Sequence, residues 1–286
     1  MADARPVRTI AVLGAGTMGH GIAHAAINGG FDTWLYDVAD AALEKGSDAV
    51  QRIVRKNVEL GKVAPGDAQR LLGRLRTTTA LSTAVEEADL IIEAAPERID
   101  LKLALFAQIE EHAPAAAVIA SNTSALSITE LAGSLENPSR AAGMHFFNPV
   151  HKMKLIEIVR ALESAPATLD AIEEVSRRMG KETVLVRESP GFITTRVNAS
   201  IGNEAFYMLM EGVASARDID KALKLGLNHP MGPFELVDLV GLDTRLSILE
   251  YLHRSLGEKY RPCPLLAQYV KAGRLGRKVG KGVYEY

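Results

Sequence analysis

Ile10-Ala11-Val12-Leu13-Gly14-Ala15-Gly16-Thr17-Met18-Gly19, followed further on by a carboxylate at Asp37, is the stretch that decides the fold. An apolar run ends in a G-x-G-x-x-G turn. A helical pattern then extends from about Thr17 to Asn28. A second apolar run, Thr33-Trp34-Leu35-Tyr36, ends at the acid. Dinucleotide binding asks this order of a βαβ unit. Gly14 permits the tight turn, Gly16 lets the backbone approach a pyrophosphate, and Gly19 lets the helix pack closely on the strand. The helix N-terminus, at Thr17 and Met18, offers unpaired N–H groups and positive dipole character to phosphates. Asp37 stands 18 residues beyond Gly19, where a carboxylate can hold the adenosine ribose hydroxyls. It would repel a 2′-phosphate, and no Arg or Lys follows until Lys45, so the pattern favours NAD over NADP. G-x-G-x-x-G by itself is a weak sign, because Gly-rich turns are common; the ordered set is much stronger.

Composition sets the outer bounds. The chain has 286 residues, 47% hydrophobic and 24% charged, which implies a globular protein of about two domains. A net charge of −2 and no basic stripe argue against a nucleic-acid partner. The clusters Arg74/Arg76 and Arg274/Arg277/Lys278/Lys281 read as solvated faces or local anion sites. One cysteine, Cys263 between two prolines, excludes an internal disulfide and a cysteine metal cluster. No H-x-x-H or C-x-x-C spacing occurs, so no metal is expected. No apolar run reaches transmembrane length, and Met1 to Arg8 has no apolar core of a secretory signal. The expectation is a cytoplasmic protein without a membrane partner.

Strands and helices alternate through the first two-thirds. After the opening unit come helical patterns at roughly 41–60 and 67–75, then a buried strand at Leu90-Ile91-Ile92-Glu93-Ala94. A helix over 102–112, a strand at Val118-Ile119-Ala120 and a short helix over 128–135 follow. Further strands fall at 141–145, 155–159 and 183–186, with a helix over 168–179. This is the pattern of a doubly wound, mostly parallel α/β sheet of Rossmann type. Beyond Glu188-Ser189-Pro190-Gly191 the chain reads as almost wholly helical. Helices are expected over 195–211, over 216–225 with Ser215 as N-cap, over 234–256 with an interruption at Gly241, and over 264–272. The domains are therefore placed at 1–187, with a helical excursion near 41–75, and at 188–286, all-α.

Polar residues stand where such a sheet presents ligands, beyond the carboxyl ends of strands. They are Glu97 in Ala94-Ala95-Pro96-Glu97, the run Ser121-Asn122-Thr123-Ser124, and His145-Phe146-Phe147-Asn148-Pro149. Glu157 is the odd residue, an acid within Leu155-Ile156-Glu157-Ile158-Val159. Strand alternation puts it on a face with Leu155 and Val159. It is either a solvent-facing Glu on an edge strand beside a core histidine, or a buried acid that needs a partner. His145 is the candidate partner, and a carboxylate-oriented imidazole is a general base. With a hydride acceptor, such a pair suggests alcohol oxidation. Ser121 and an amide such as Asn148 could hydrogen-bond the hydroxyl or the developing carbonyl.

These residues make the chain resemble the L-3-hydroxyacyl-CoA dehydrogenases, most closely the bacterial 3-hydroxybutyryl-CoA dehydrogenase branch. The resemblance covers nearly the whole chain, in VLGAGTMGHGIA, IIEAAPE, ASNTSALSIT, GMHFFNPVHKMKLIEIV, SPGFITTR, NHPMGPFELVDLVGLD and GRLGRKVGKGVYEY. It implies NAD-dependent, reversible oxidation of a (3S)-3-hydroxyacyl-CoA to the 3-ketoacyl-CoA. His145 would be the base, Glu157 its partner, and Ser121 the ligand of the substrate 3-oxygen. Glu97, Lys102, Ser121 and Asn148 would lie along the cofactor. The helical excursion would contact CoA, with Arg52 and Lys56 as the basic residues that could meet its phosphates. The helical C-terminal domain would form most of a homodimer interface. One position departs from the family pattern: Thr195 stands where the family usually carries an Asn that positions substrate. The Thr195 hydroxyl is the expected replacement, with Asn198, three residues on, as the alternative.

Two other readings use the same residues. A sugar-acid or hydroxyacid dehydrogenase without CoA could keep the His/Glu pair. The broader β-hydroxyacid branch is disfavoured, because it uses a Lys on the long helix and none occurs from Thr195 to Glu211. A non-catalytic NAD-binding protein is the third reading, and the presence of His145, Glu157 and Ser121 argues against it.

Overall fold

The computed structural model describes residues 6–286; of the Met1–Arg8 stretch discussed above, residues 1–5 lie outside it. The chain divides into two compact units, Met1–Glu188 and Ser189–Tyr286. The first is built from β1 (Thr9–Leu13), α1 (Gly19–Asn28), β2 (Asp32–Tyr36), α2 (Asp40–Glu59), α3 (Pro65–Leu72), β3 (Leu75–Thr78), α4 (Leu81–Val85), β4 (Leu90–Glu93), α5 (Ile99–His112), β5 (Val118–Ser121), α6 (Ile128–Ala132), β6 (Ala141–Phe146), β7 (Leu155–Arg160), α7 (Pro166–Arg178) and β8 (Glu182–Arg187).

The eight strands form one sheet in the order β3-β2-β1-β4-β5-β6-β7-β8. The first six are mutually parallel. Helical crossovers cover such a sheet, so its central strands are buried and mostly apolar. β1 accordingly buries Ile10, Ala11, Val12 and Leu13, and β4 buries all four of its residues. β7 instead pairs antiparallel with β6. Only residues 147–154 join the two, too few for a parallel crossover. α7 then supplies a crossover, and β8 runs parallel to β7. The strand order turns back between β1 and β4, which opens the ligand crevice of a doubly wound sheet at their carboxyl ends.

Three elements differ from the sequence expectation, one of them the short helix α4, where none was expected. The helix expected over 67–75 ends at Leu72, and Leu75 opens an edge strand, β3. That strand carries Arg76 and two threonines, with no apolar alternation to mark it. Arg74, just before the strand, pairs with Asp32, and Arg76 stands 5.5 Å over the Trp34 ring, so polar contacts add to the backbone pairing of β3 with β2. α2 keeps an amphipathic stripe: Leu43, Gly46, Val50 and Val54 are its buried residues.

The second unit contains α8 (Thr194–Met210), α9 (Ala216–Gly226), α10 (Pro233–Val240), α11 (Leu242–Leu256) and α12 (Pro264–Lys271). Its core gathers Phe206, Phe234, Val237, Leu249, Leu252 and Leu266. Ser215 caps α9 by accepting from the Asp218 N–H. The Gly/Lys-rich tail is ordered by two buried acids. Asp238 accepts from Val283 N–H, Tyr284 N–H and the Tyr286 hydroxyl, and Asp220 accepts from the Tyr284 hydroxyl. No helix among the described residues is long and apolar enough to cross a membrane.

α1 carries an unusual core residue. His24 is 6% exposed, and its Nδ1 has no hydrogen-bond partner among the described residues. Burial, reinforced by His151, Lys181 and His20, pushes its pKa down to about 4. A histidine depressed in the folded state leaves stability intact above its unfolded pKa of about 6.5 and subtracts from it as pH falls toward 4. Wild-type unfolding free energy is therefore expected to fall by about 2 kcal/mol more between pH 7 and pH 5 than that of His24→Leu. Urea unfolding at the two pH values measures this, and equal losses would contradict it.

Candidate functional site

The Gly-rich turn after β1 is shaped by close approach. Gly14 has φ +108° and donates its N–H to Tyr36 O at 2.8 Å. A Cβ on Gly19 would lie 1.6 Å from Gly14 O, so the first turn of α1 can seat there only as glycine. A Cβ on Gly16 would meet no protein atom within 4 Å. The backbone at Gly16 thus faces open space, as a pyrophosphate cradle requires. Thr17 is exposed, Met18 is the N-cap of α1, and the helix has no acid in its first turn to offset its dipole. The Asp37 carboxylate accepts from Ala15 N–H at 2.8 Å and Ala39 N–H at 3.3 Å, which fixes the end of β2 against the turn. Open backbone, an unopposed helix N-terminus and a carboxylate at the next strand end fit NAD.

The ends of β4 and β5 hold a buried polar network. Glu93, the last residue of β4, is 0% exposed and Lys102 on α5 is 1% exposed. The Lys102 ammonium donates to Glu93 Oε1 at 2.6 Å and to Ala95 O at 3.1 Å, and stands 3.6 Å from Glu97 Oε2. Glu93 also accepts from Ala95 N–H and, at Oε2, from the Ser121 hydroxyl, each at 2.6 Å. Glu97 Oε1 accepts from the Thr123 hydroxyl at 2.6 Å and Ser124 N–H at 2.9 Å. Asn122 Oδ1 accepts from Phe146 N–H at 2.8 Å and ties the end of β5 to β6.

Antiparallel pairing sets His145 on β6 directly opposite Glu157 on β7. His145 is 4% exposed and Glu157 is fully buried. β7 lies inside the sheet, between β6 and β8, so Glu157 is a buried acid with a partner and not an edge residue facing solvent. His145 Nδ1 is 2.7 Å from Glu157 Oε2, and Nε2 is 3.1 Å from Ser124 Oγ. With Nδ1–H donating to the carboxylate, Nε2 presents a lone pair on the Ser124 side. This arrangement can take a proton from a hydroxyl placed beside Ser124 and return it.

The hydroxyl that reaches the imidazole is therefore Ser124, whereas Ser121 is buried on Glu93. The two are three residues apart; Ser121 ends the strand and Ser124 lies in the turn beyond it. The Lys102 ammonium is enclosed by Glu93 and the Ala95 carbonyl, away from solvent. Asn148 is exposed just past β6. Arg52 is exposed on α2, and Lys56 pairs with Glu59 at 3.0 Å. Thr195 and Asn198 are half-buried on the first turns of α8, in the second unit. Glu93 was not among the residues singled out from sequence, although it carries the sign that exposed Glu157: an acid inside an apolar strand.

Comparison with known proteins follows the two units. Residues 9–189 match the family model described as 3-hydroxyacyl-CoA dehydrogenase, NAD binding domain, and residues 191–286 match its C-terminal domain. A probable 3-hydroxybutyryl-CoA dehydrogenase of Bacillus subtilis is 44% identical over 281 residues, covering 98% of each chain. A 3-hydroxybutyryl-CoA dehydrogenase of Bradyrhizobium diazoefficiens is 41% identical, covering 98% of this chain and 96% of its own. The crystal structure of (S)-3-hydroxybutyryl-CoA dehydrogenase from Ralstonia eutropha superposes with a TM-score of 0.95 at 42% identity, over 98% of this chain and 99% of that one.

The two serines separate by stability. Ser121→Ala deprives a fully buried carboxylate oxygen of its donor and is expected to cost about 1–3 kcal/mol of unfolding free energy. Ser124→Ala is expected to stay within about 0.5 kcal/mol of wild type. Denaturant unfolding of both variants checks this, and the reverse ranking would contradict the placement.

Proposed function

The chain belongs to the 3-hydroxyacyl-CoA dehydrogenase family of NAD-dependent oxidoreductases, and on that premise we propose that it interconverts (3S)-3-hydroxyacyl-CoA and 3-ketoacyl-CoA. Short chains such as 3-hydroxybutyryl-CoA are the proposed substrates, in line with the names of the relatives. The observation that carries this reading is the buried His145–Glu157 pair with Ser124 at the far nitrogen. Bound NAD supplies the hydride acceptor for the substrate C3. His145 Nε2 takes the 3-hydroxyl proton in the oxidative direction and returns it to the carbonyl oxygen in reduction. Glu157 holds the imidazole tautomer and stabilises the imidazolium as it forms. The Ser124 hydroxyl is the group we assign to the substrate 3-oxygen, in place of Ser121.

Gly14, Gly16, Gly19 and the backbone at Thr17 and Met18 are assigned to the pyrophosphate, and Asp37 to the ribose. Glu97 and Asn148 are assigned to the nicotinamide half, with Lys102 acting behind Glu97. Thr195 is kept as the second unit's donor to substrate, with Asn198 one turn on. Arg52 remains the candidate for CoA phosphate, being exposed on α2; Lys56 is offset by Glu59. We also propose a homodimer through the second unit. Its exposed apolar residues Val197 (55%), Val213 (64%), Leu225 (77%) and Leu227 (67%) support that reading. The lone buried cysteine is consistent with a cytoplasmic location.

Consumption of NADH with acetoacetyl-CoA tests the activity. Turnover is expected, and none at micromolar enzyme would refute it. His145→Gln is expected to lower kcat by a factor of about 10²–10⁴, the scale of losing a general base. An unchanged rate would remove His145 from the mechanism.

A further inference from the structure

We infer that Glu93 is a positioning residue for the reaction, acting through Lys102 and Glu97 to hold Ser124 against His145. The inference rests on the activity proposed above, and it assigns a role to an acid outside the His145–Glu157 pair.

The Lys102 ammonium has three N–H bonds and three oxygens around it: Glu93 Oε1 at 2.6 Å, Ala95 O at 3.1 Å and Glu97 Oε2 at 3.6 Å. The two carboxylates differ in freedom. Glu93 has a side-chain exposure of 0%, and Glu97 of 45%. Glu93 is also pinned by Ala95 N–H and by the Ser121 hydroxyl, so it forms the fixed end. Glu97 is held at Oε1 by the turn after β5, and the ammonium, 3.6 Å away, orients its other oxygen. With Oε2 held toward Lys102, Oε1 accepts from the Thr123 hydroxyl and from Ser124 N–H. Those two bonds set the turn after β5, and that turn places Ser124 Oγ 3.1 Å from His145 Nε2. The chain of contacts is Glu93, Lys102, Glu97, Ser124, His145, all within the first unit.

The Glu93 charge is the necessary element. A neutral acceptor at Glu93 would still receive Ala95 N–H, but it would leave the ammonium with Glu97 as its one anion. The ammonium then closes the 3.6 Å gap to Glu97 Oε2, which turns the carboxylate and misaligns Oε1 with the Ser124 N–H. Reaction rates respond steeply to such shifts, because hydrogen bonds at the reacting oxygen must be aligned to lower the barrier.

Glu93→Gln is the test. Its carbonyl can accept from Ala95 N–H and Lys102, and its amide can donate to Ser121 Oγ, so the variant keeps the shape of the site and removes its charge, at the cost of the acceptor for the Ser121 O–H. Steady-state reduction of acetoacetyl-CoA by NADH is measured for wild type, Glu93→Gln, Ser124→Ala and the double variant, with thermal melting of each. Glu93→Gln is expected to lower kcat roughly tenfold in the wild-type background, and by less than about twofold where Ser124 is already Ala. The same fractional loss in both backgrounds, or no loss in a folded Glu93→Gln, would overturn the inference. If Glu93→Gln does not fold, Glu93→Asp, which keeps the charge but withdraws it from the ammonium, is read by the same criterion. Failure of the wild type to turn over acetoacetyl-CoA would instead overturn the proposed activity.

Discussion

A carboxylate with no exposure in the interior of an eight-stranded sheet must be compensated, and Glu157 is compensated by the histidine directly across the strand pair. Desolvating an unpaired carboxylate costs several kcal/mol, so the pair is obligatory once the strands are in register. The register follows from the short connection between β6 and β7, which forces them antiparallel. A one-residue slip would turn Glu157 to the opposite face and leave both groups unpaired. The fold therefore fixes the orientation of the imidazole through the contact that satisfies the buried carboxylate.

A second buried ionic group lies two strands away. Glu93 and Lys102 are fully enclosed, and a pair of this kind contributes little net stability compared with apolar residues of the same size. Its effect is geometric. It joins the end of β4 to α5 and, through Ser121, to the end of β5. The carboxyl edge of the sheet thus carries two buried acids, one at the end of β4 and one within β7, each fixing a nitrogen-bearing side chain.

Much of this was legible in the residues. The turn at Gly14 to Gly19 with Asp37 fixed the first βαβ unit, and an acid among isoleucines marked Glu157 as exceptional. β3 was not legible, because an edge strand of one leucine, one arginine and two threonines carries no hydrophobic period. Glu93 offered the same sign as Glu157 but stands at a strand end, where an acid reads as the start of a loop. Ser121 was the serine singled out rather than Ser124, since the direction of a hydroxyl depends on how the turn after β5 folds, and that turn is bonded by Glu97 from another segment of the chain. Thr195 belongs to a unit whose helices are plain in the sequence, and it lies on the first turn of α8.

The central claim is that His145 and Glu157 act as one catalytic unit, and the kcat of a folded Glu157→Gln variant tests it most directly. The account predicts a loss of at least about tenfold in acetoacetyl-CoA reduction, with KM for NADH little changed, because the amide can accept the Nδ1–H but cannot stabilise an imidazolium as a carboxylate does. A kcat within twofold of wild type, in a variant that melts with the wild type, would contradict it.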